Sequence, residues 1–138
     1  MKVCVDASLV AAVMLPEEQS AQAQALTEEW LRRGDTLIAP DLWRYEVVSI
    51  VFKAVGRGRM QPEEGLPTLT QLMRFPVTLL APDHEQAYLL ALRLGLPAPY
   101  DAHYLAIAQA EGCEFWTGDR KLYERVHAAL PWVHVLGE

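Results

Sequence analysis

Four acids stand where an apolar surrounding makes a carboxylate costly. Asp6 ends the apolar run Val3-Cys4-Val5. Glu46 lies inside the apolar segment Leu42–Val55, Asp101 opens the segment Asp101–Ala108, and Asp119 follows Phe115-Trp116 after Thr117-Gly118. Acids that converge repel one another unless a cation sits among them. An all-oxygen ligand set suits a hard cation, Mg²⁺ or Mn²⁺, rather than zinc. A carboxylate-held ion of that kind serves phosphodiester hydrolysis, because it activates water and neutralises the phosphate.

Each acid also has a plainer explanation. Asp6, Asp101 and Asp119 can each be read as the N-cap of a helix, as can Asp41 and Asp83 after prolines. Glu46 resists that reading. Projected on a helix, Leu42–Val55 is apolar almost all round, apart from a narrow stripe of Glu46, Ser49 and Lys53 and a separate Arg44. Either the stripe faces water, or a largely buried helix turns it into a polar cleft; the apolar coat, including Val48 and Phe52, favours the second. Ser8 and Thr117 accompany Asp6 and Asp119 and can orient carboxylates as hydrogen-bond donors, although hydroxyls there are also common in turns. The histidines, His84, His103, His127 and His134, show no metal-ligand spacing and are read as structural or exposed; His103 lies about 200° from Asp101 on an ideal helix.

Strands and helices must position these groups. Met1–Val5, Thr36–Ala39, Val77–Leu80, Glu114–Thr117 and Trp132–Leu136 read as strands. Ala7–Leu15, Glu17–Arg33, Pro40–Gly56, a segment beginning at Pro62, Asp83–Leu94, Asp101–Glu111 and Asp119–Ala129 read as helices, with Pro67 leaving the fourth in question. Alternation of this kind predicts an α/β fold: three α/β/α layers with a central parallel sheet of four to five strands, in one domain spanning 1–138. In such sheets the functional crevice lies beyond the carboxyl ends of the strands, where strand order reverses. Asp6 and Asp119 both follow strand ends.

The 138 residues carry a formal net charge of −6, which disfavours nucleic-acid binding by the whole surface but permits a local basic groove. Cations cluster at Arg32-Arg33, at Lys53 with Arg57 and Arg59, and at Arg120-Lys121 with Arg125. The first two clusters suit the last turns of helices. Arg120-Lys121 instead open a helix, where the dipole disfavours cations, so a phosphate-facing role is the sharper reading; Lys53, on the polar stripe with Glu46, is a further candidate to meet RNA. No apolar run reaches the ~20 residues of a membrane span, and the N-terminus does not resemble a signal peptide. Cys4 and Cys113 read as reduced, buried thiols of a cytoplasmic protein.

With these residues in view, the chain resembles the PIN-domain nucleases, in particular the VapC-type toxins of toxin–antitoxin pairs. The resemblance rests on Val5-Asp6-Ala7-Ser8-Leu9, Ala39-Pro40-Asp41-Leu42 with Tyr45-Glu46-Val47, Tyr100-Asp101-Ala102-His103-Tyr104-Leu105-Ala106, and Thr117-Gly118-Asp119-Arg120-Lys121-Leu122-Tyr123. No one motif is specific; the ordered set is. The resemblance implies an endoribonuclease dependent on one or two Mg²⁺ or Mn²⁺ ions, held by Asp6, Glu46, Asp101 and Asp119 with Thr117 assisting. It also implies a homodimer and a cognate VapB-type antitoxin. Ala7 and His103 depart from residues common in the family but remove no expected ligand.

Three other readings of the sequence compete with this one. A catalytically weak PIN-fold binding module would use Trp43, Tyr45, Phe52 and Leu9–Leu15 as interface. A phosphoacceptor receiver domain needs an acceptor Asp ending the third strand and a late Lys, and a haloacid-type phosphatase needs Asp-x-Asp; this sequence has neither pattern.

Overall fold

The structure, a computed structural model, describes residues 1–138. Its elements, in chain order, are β1 (Lys2–Val5), α1 (Ala7–Met14), α2 (Ser20–Arg32), β2 (Thr36–Pro40), α3 (Leu42–Gly56), α4 (Pro62–Met73), β3 (Val77–Leu80), α5 (His84–Leu94), α6 (Tyr100–Glu111), β4 (Glu114–Thr117), α7 (Arg120–Val126) and β5 (Val133–Val135). The strands form one five-stranded sheet in the order β3-β2-β1-β4-β5, every neighbouring pair parallel. Right-handed crossovers put α1 to α4 on one face and α5 to α7 on the other. Helix contacts agree: α1 packs on α2, α3 and α4, whereas α5 packs on α6.

The sheet is buried on both faces, so its strands read as apolar runs rather than alternating ones. Phe115 and Trp116 show the two sides: the Phe115 ring lies 5.7 Å from Tyr104 of α6, and the Trp116 ring lies 5.8 Å from Trp30 of α2. Helix α6 packs across β1, β2 and β4, and five successive residues, Tyr104 to Ala108, are buried. That explains why it shows no polar stripe over those positions. Neither this helix nor any other is long and apolar enough to cross a membrane.

Several expectations need correction. Helix α2 starts at Ser20, not Glu17, because the Ser20 hydroxyl accepts from Glu17 N–H and donates to the Leu15 carbonyl, closing a turn first. Helix α4 runs unbroken through Pro67. Helix α7 ends at Val126, three residues short of Ala129, where the chain turns toward β5. Asp41 has helical backbone angles and makes no cap hydrogen bond. Asp83 does cap, accepting from Gln86 N–H. Both cysteines are free, but only Cys4 is buried; Cys113 precedes β4 and is half-exposed.

Candidate active site

Strand order reverses at β1, which lies between β2 and β4. Asp6 follows β1 directly, and Asp119 follows β4 after Gly118, so both carboxylates stand at the reversal point where open α/β sheets bind ligands. Glu46 reaches the same place from the second turn of α3 and Asp101 from the first turn of α6. All four acids line one cavity of about 190 Å³, together with Ala7, Ser8, Ser49, Ile50 and Lys53. The stripe of Glu46, Ser49 and Lys53 therefore faces the cleft. The apolar coat of α3 is only half buried, however. Val47 and Val51 are buried, while Val48 and Phe52 are exposed, Phe52 at 78%.

Asp6, at 6% exposure, is held by three donors. The Ser8 hydroxyl donates to Oδ1 at 2.7 Å, Leu9 N–H donates to Oδ1 at 3.0 Å, and the Thr117 hydroxyl donates to Oδ2. Both hydroxyls also accept backbone N–H groups: Gly118 N donates to Ser8 Oγ and Asp119 N to Thr117 Oγ1, each at 2.9 Å. Their protons are thereby committed to Asp6. Asp6 and Asp119 cap helices as well, accepting from Leu9 and Leu122 N–H. Asp101 does not: the residue at the cap of α6 is Pro99, and Asp101 lies in the first turn. For Asp101 the capping explanation fails.

The electrostatics show why the set is costly. Burial, opposed by the three hydrogen bonds and reinforced by the Asp101 charge, pushes Asp6 up to about 6. Burial raises Glu46 to about 7, with Asp6 and Asp101 adding to the rise and the Tyr104 hydrogen bond opposing it. Asp101 is raised by burial and by Asp119. Each of these three carboxylates thus feels at least one other in the group.

Tyr104 was absent from the expected site. Its ring is fully buried, and its hydroxyl donates to Glu46 Oε1 at 2.5 Å. A signal existed, since Tyr104 is three residues after Asp101 and so falls on the same face of α6. Arg57 and Arg59 were read as helix-end cations, and Arg57 is indeed the C-cap of α3. They also line a cavity with Lys53 and Ile50, and those last two residues line the acid cleft as well, so a cationic wall continues from it. Arg120 and Lys121 are exposed at the start of α7 and lie outside the cleft lining.

The donor set fits a hard divalent cation: four carboxylates, mutually repelling, at one cavity. As placed, no three His, Cys, Asp or Glu side chains are grouped to ligate one ion together. Asp6 is turned to its hydroxyl donors and Glu46 to Tyr104.

The profile of the PIN domain matches residues 3–127. The chain belongs to the PIN-domain family. It is 36% identical over 134 residues to Ribonuclease VapC3 of Pyrobaculum aerophilum, an alignment covering 94% of this chain and 98% of that one. Among solved structures, PAE2754 from Pyrobaculum aerophilum superposes with a TM-score of 0.67 at 23% identity, covering 91% of this chain and 84% of that one. Mycobacterium tuberculosis VapC20, described as a sarcin-ricin loop cleaving toxin, superposes with a TM-score of 0.60 at 16% identity, covering 83% of this chain and 86% of that one. At these identities the two structures speak for the PIN fold, and VapC3 for kinship with VapC-type members.

Proposed function

We propose that this PIN-domain protein is a Mg²⁺- or Mn²⁺-dependent endoribonuclease, the toxin of a toxin–antitoxin pair. The observation that carries the reading is the single cleft at the strand-order reversal, lined by carboxylates from four separate elements. Kinship with a VapC ribonuclease supports RNA as the substrate.

Asp6, Asp101, Asp119 and Glu46 would hold one or two divalent ions. Such an ion supplies charge neutralisation at the scissile phosphate and a lowered pKa for the attacking water. Ser8, Thr117 and the Leu9 N–H keep Asp6 ionised and fixed in direction. Tyr104 fixes the direction of Glu46, which completes the ligand set or orients the attacking water. Lys53 at the cleft, with Arg57 and Arg59 beyond it, offers a path for the phosphate backbone of the strand. Arg120 and Lys121 would meet RNA only outside the cleft. Hydrolysis joins the water oxygen to phosphorus and releases the ribose 3′-oxygen.

The reading includes a homodimer, a VapB-type antitoxin that covers the cleft, and a cytoplasmic setting. The test is cleavage of a synthetic RNA pool with added Mn²⁺. Asp6→Asn and Asp101→Asn should abolish it while circular dichroism stays unchanged, and EDTA should abolish it in the wild type. Wild-type rates from Asp6→Asn would end the proposal.

A second reading is a catalytically weak binding module. It is favoured by the outward face of α3, where Tyr45, Val48 and Phe52 are exposed apolar residues. Trp43 is core instead, as are Leu9, Val10, Ala11, Ala12 and Leu15 of the other expected interface segment. Calorimetry separates the two readings, because a binding module would take up no Mn²⁺ at the cleft.

A further inference from the structure

A second cavity, of about 460 Å³, draws on the same two helices, α3 and α6, as the acid cleft but shares no lining residue with it. Its walls carry Asp41, Tyr45, His84, Tyr100 and His103, with prolines 40 and 82 among the apolar lining. The volume is in the range of sites that enclose a small planar ligand. Two sequence neighbours fix its place: Tyr45 precedes Glu46 on α3, and Tyr100 precedes Asp101 on α6. The two cavities thus take consecutive residues of α3 and of α6, about 100° apart around each helix.

Its residues are unusual for idle surface. Tyr45 is 70% exposed and Tyr100 62% exposed, so two aromatic side chains stand in water around one concavity. The histidines are ordered against each other. His103 Nδ1 lies 3.1 Å from the Pro99 carbonyl and 3.3 Å from the Tyr100 carbonyl. Carbonyl oxygens only accept, so His103 Nδ1 carries a proton. In a neutral pair His103 Nε2 then accepts from His84 Nδ1, 3.0 Å away, and His84 Nε2 is left as an acceptor. Asp41, relieved of any capping bond, adds a carboxylate.

We infer that this cavity receives an unpaired guanine base of the RNA strand, next to the scissile phosphate. The inference rests on the nuclease reading above. Unpaired bases are bound by stacking on Tyr and His rings and by hydrogen bonds to their Watson–Crick edges. Guanine presents two adjacent donors, N1–H and N2–H, that match the two oxygens of one carboxylate. Adenine and cytosine set a ring acceptor beside their one amino group, and uracil flanks its N–H with two carbonyls, so each would turn a lone pair toward Asp41.

The experiment has a binding arm and a cleavage arm. Wild-type protein in EDTA is titrated with GMP and with UMP while the His84 and His103 ring resonances are followed by NMR. GMP should shift both, and UMP should bind about tenfold more weakly. Asp41→Asn should remove that preference with the fold intact. In the cleavage arm, Tyr45→Ala/Tyr100→Ala should lower kcat/KM about tenfold at sites flanked by guanine, with no change on a substrate abasic at that position. The inference is overturned if GMP leaves both rings unmoved, or if base preference survives in both variants. It is equally overturned if the double variant weakens binding of a protein partner while RNA preference persists, since the cavity would then be a protein-docking site. Because GMP binding needs no catalysis, shifts in a protein that cuts no RNA would retire the nuclease reading and leave the base pocket standing.

Discussion

The Tyr104 hydroxyl donates to Glu46 Oε1 at 2.5 Å and so ties the two helical layers together over the end of the sheet. This bond opposes the burial that raises Glu46 to about 7. Tyr104→Phe deletes the donor and leaves the carboxylate, so the Glu46 pKa should rise further. A hydrogen bond to a charged group contributes about 1.5–3 kcal/mol, and one pKa unit is about 1.4 kcal/mol. In metal-free protein the Glu46 titration, followed by NMR, should therefore move up by about one to two units in the variant. An unmoved titration would show that the Tyr104 hydroxyl does not hold the Glu46 carboxylate.

Stability should depend on pH in an uncommon direction. Asp6 rises from 3.8 to about 6 and Glu46 from 4.5 to about 7, so the folded protein binds more protons than the unfolded chain between those values. Their contribution is fully present below about pH 4 and is lost as pH rises through 6 to 7. In metal-free buffer, Tm should fall by on the order of 5 °C between about pH 4.5 and 7.5. Saturating Mn²⁺ should recover it, because ligand bound only to the folded state stabilises that state. Scanning calorimetry of wild type and Glu46→Gln checks this; an equal fall in the variant would assign the effect elsewhere.

Gly118 allows β4 to approach α1. A Cβ there would meet Ser8 Oγ at 3.1 Å and the Ser8 backbone at 3.4 Å. Gly118→Ala should displace Ser8, remove one of the two donors to Asp6 Oδ1, and lower activity about tenfold, since one such bond contributes roughly 1.5 kcal/mol. Ser8→Ala should reproduce the activity loss without the steric strain, so its Tm should exceed that of Gly118→Ala. Full activity in both would remove Ser8 from the site.

Arg57 and Arg59 line a cavity beyond the four cleft acids, so on the proposed reading their loss should act on RNA affinity and not on the chemical step. Replacing both with Ala should raise KM, leave kcat near wild type, and flatten the dependence of log KM on log salt by roughly 0.7 for each lost phosphate contact. Titration against salt at fixed Mn²⁺ reads this directly. A drop in kcat with KM unchanged would contradict the proposed backbone path.

The alternation of strands and helices was legible because each element states its type locally: β-branched runs for strands, and Ala- and Glu-rich stretches ended by glycine for helices. The left-handed Gly95 and Gly112, with φ of 64° and 62°, stop α5 and α6 as expected. Boundaries failed where a side chain far from the pattern intervened, as Ser20 does at the head of α2. Residue types at the site were legible for a related reason. An acid at a strand end or inside an apolar helix conflicts with its neighbours, and the conflict is visible in the string.

What the chain order alone determined was therefore a parallel α/β fold and a short roster of misplaced carboxylates. Only the tertiary structure decided that Asp6, Glu46, Asp101 and Asp119 share one cleft, and that Tyr104 serves Glu46. It alone brought Lys53, Arg57 and Arg59 into one wall and set His84 against His103 beside two tyrosines. Periodicity reports which way a side chain points from its own helix or strand. It carries no information on which element lies opposite, and these partners are separated by as many as 111 residues, as in Asp6 and Thr117.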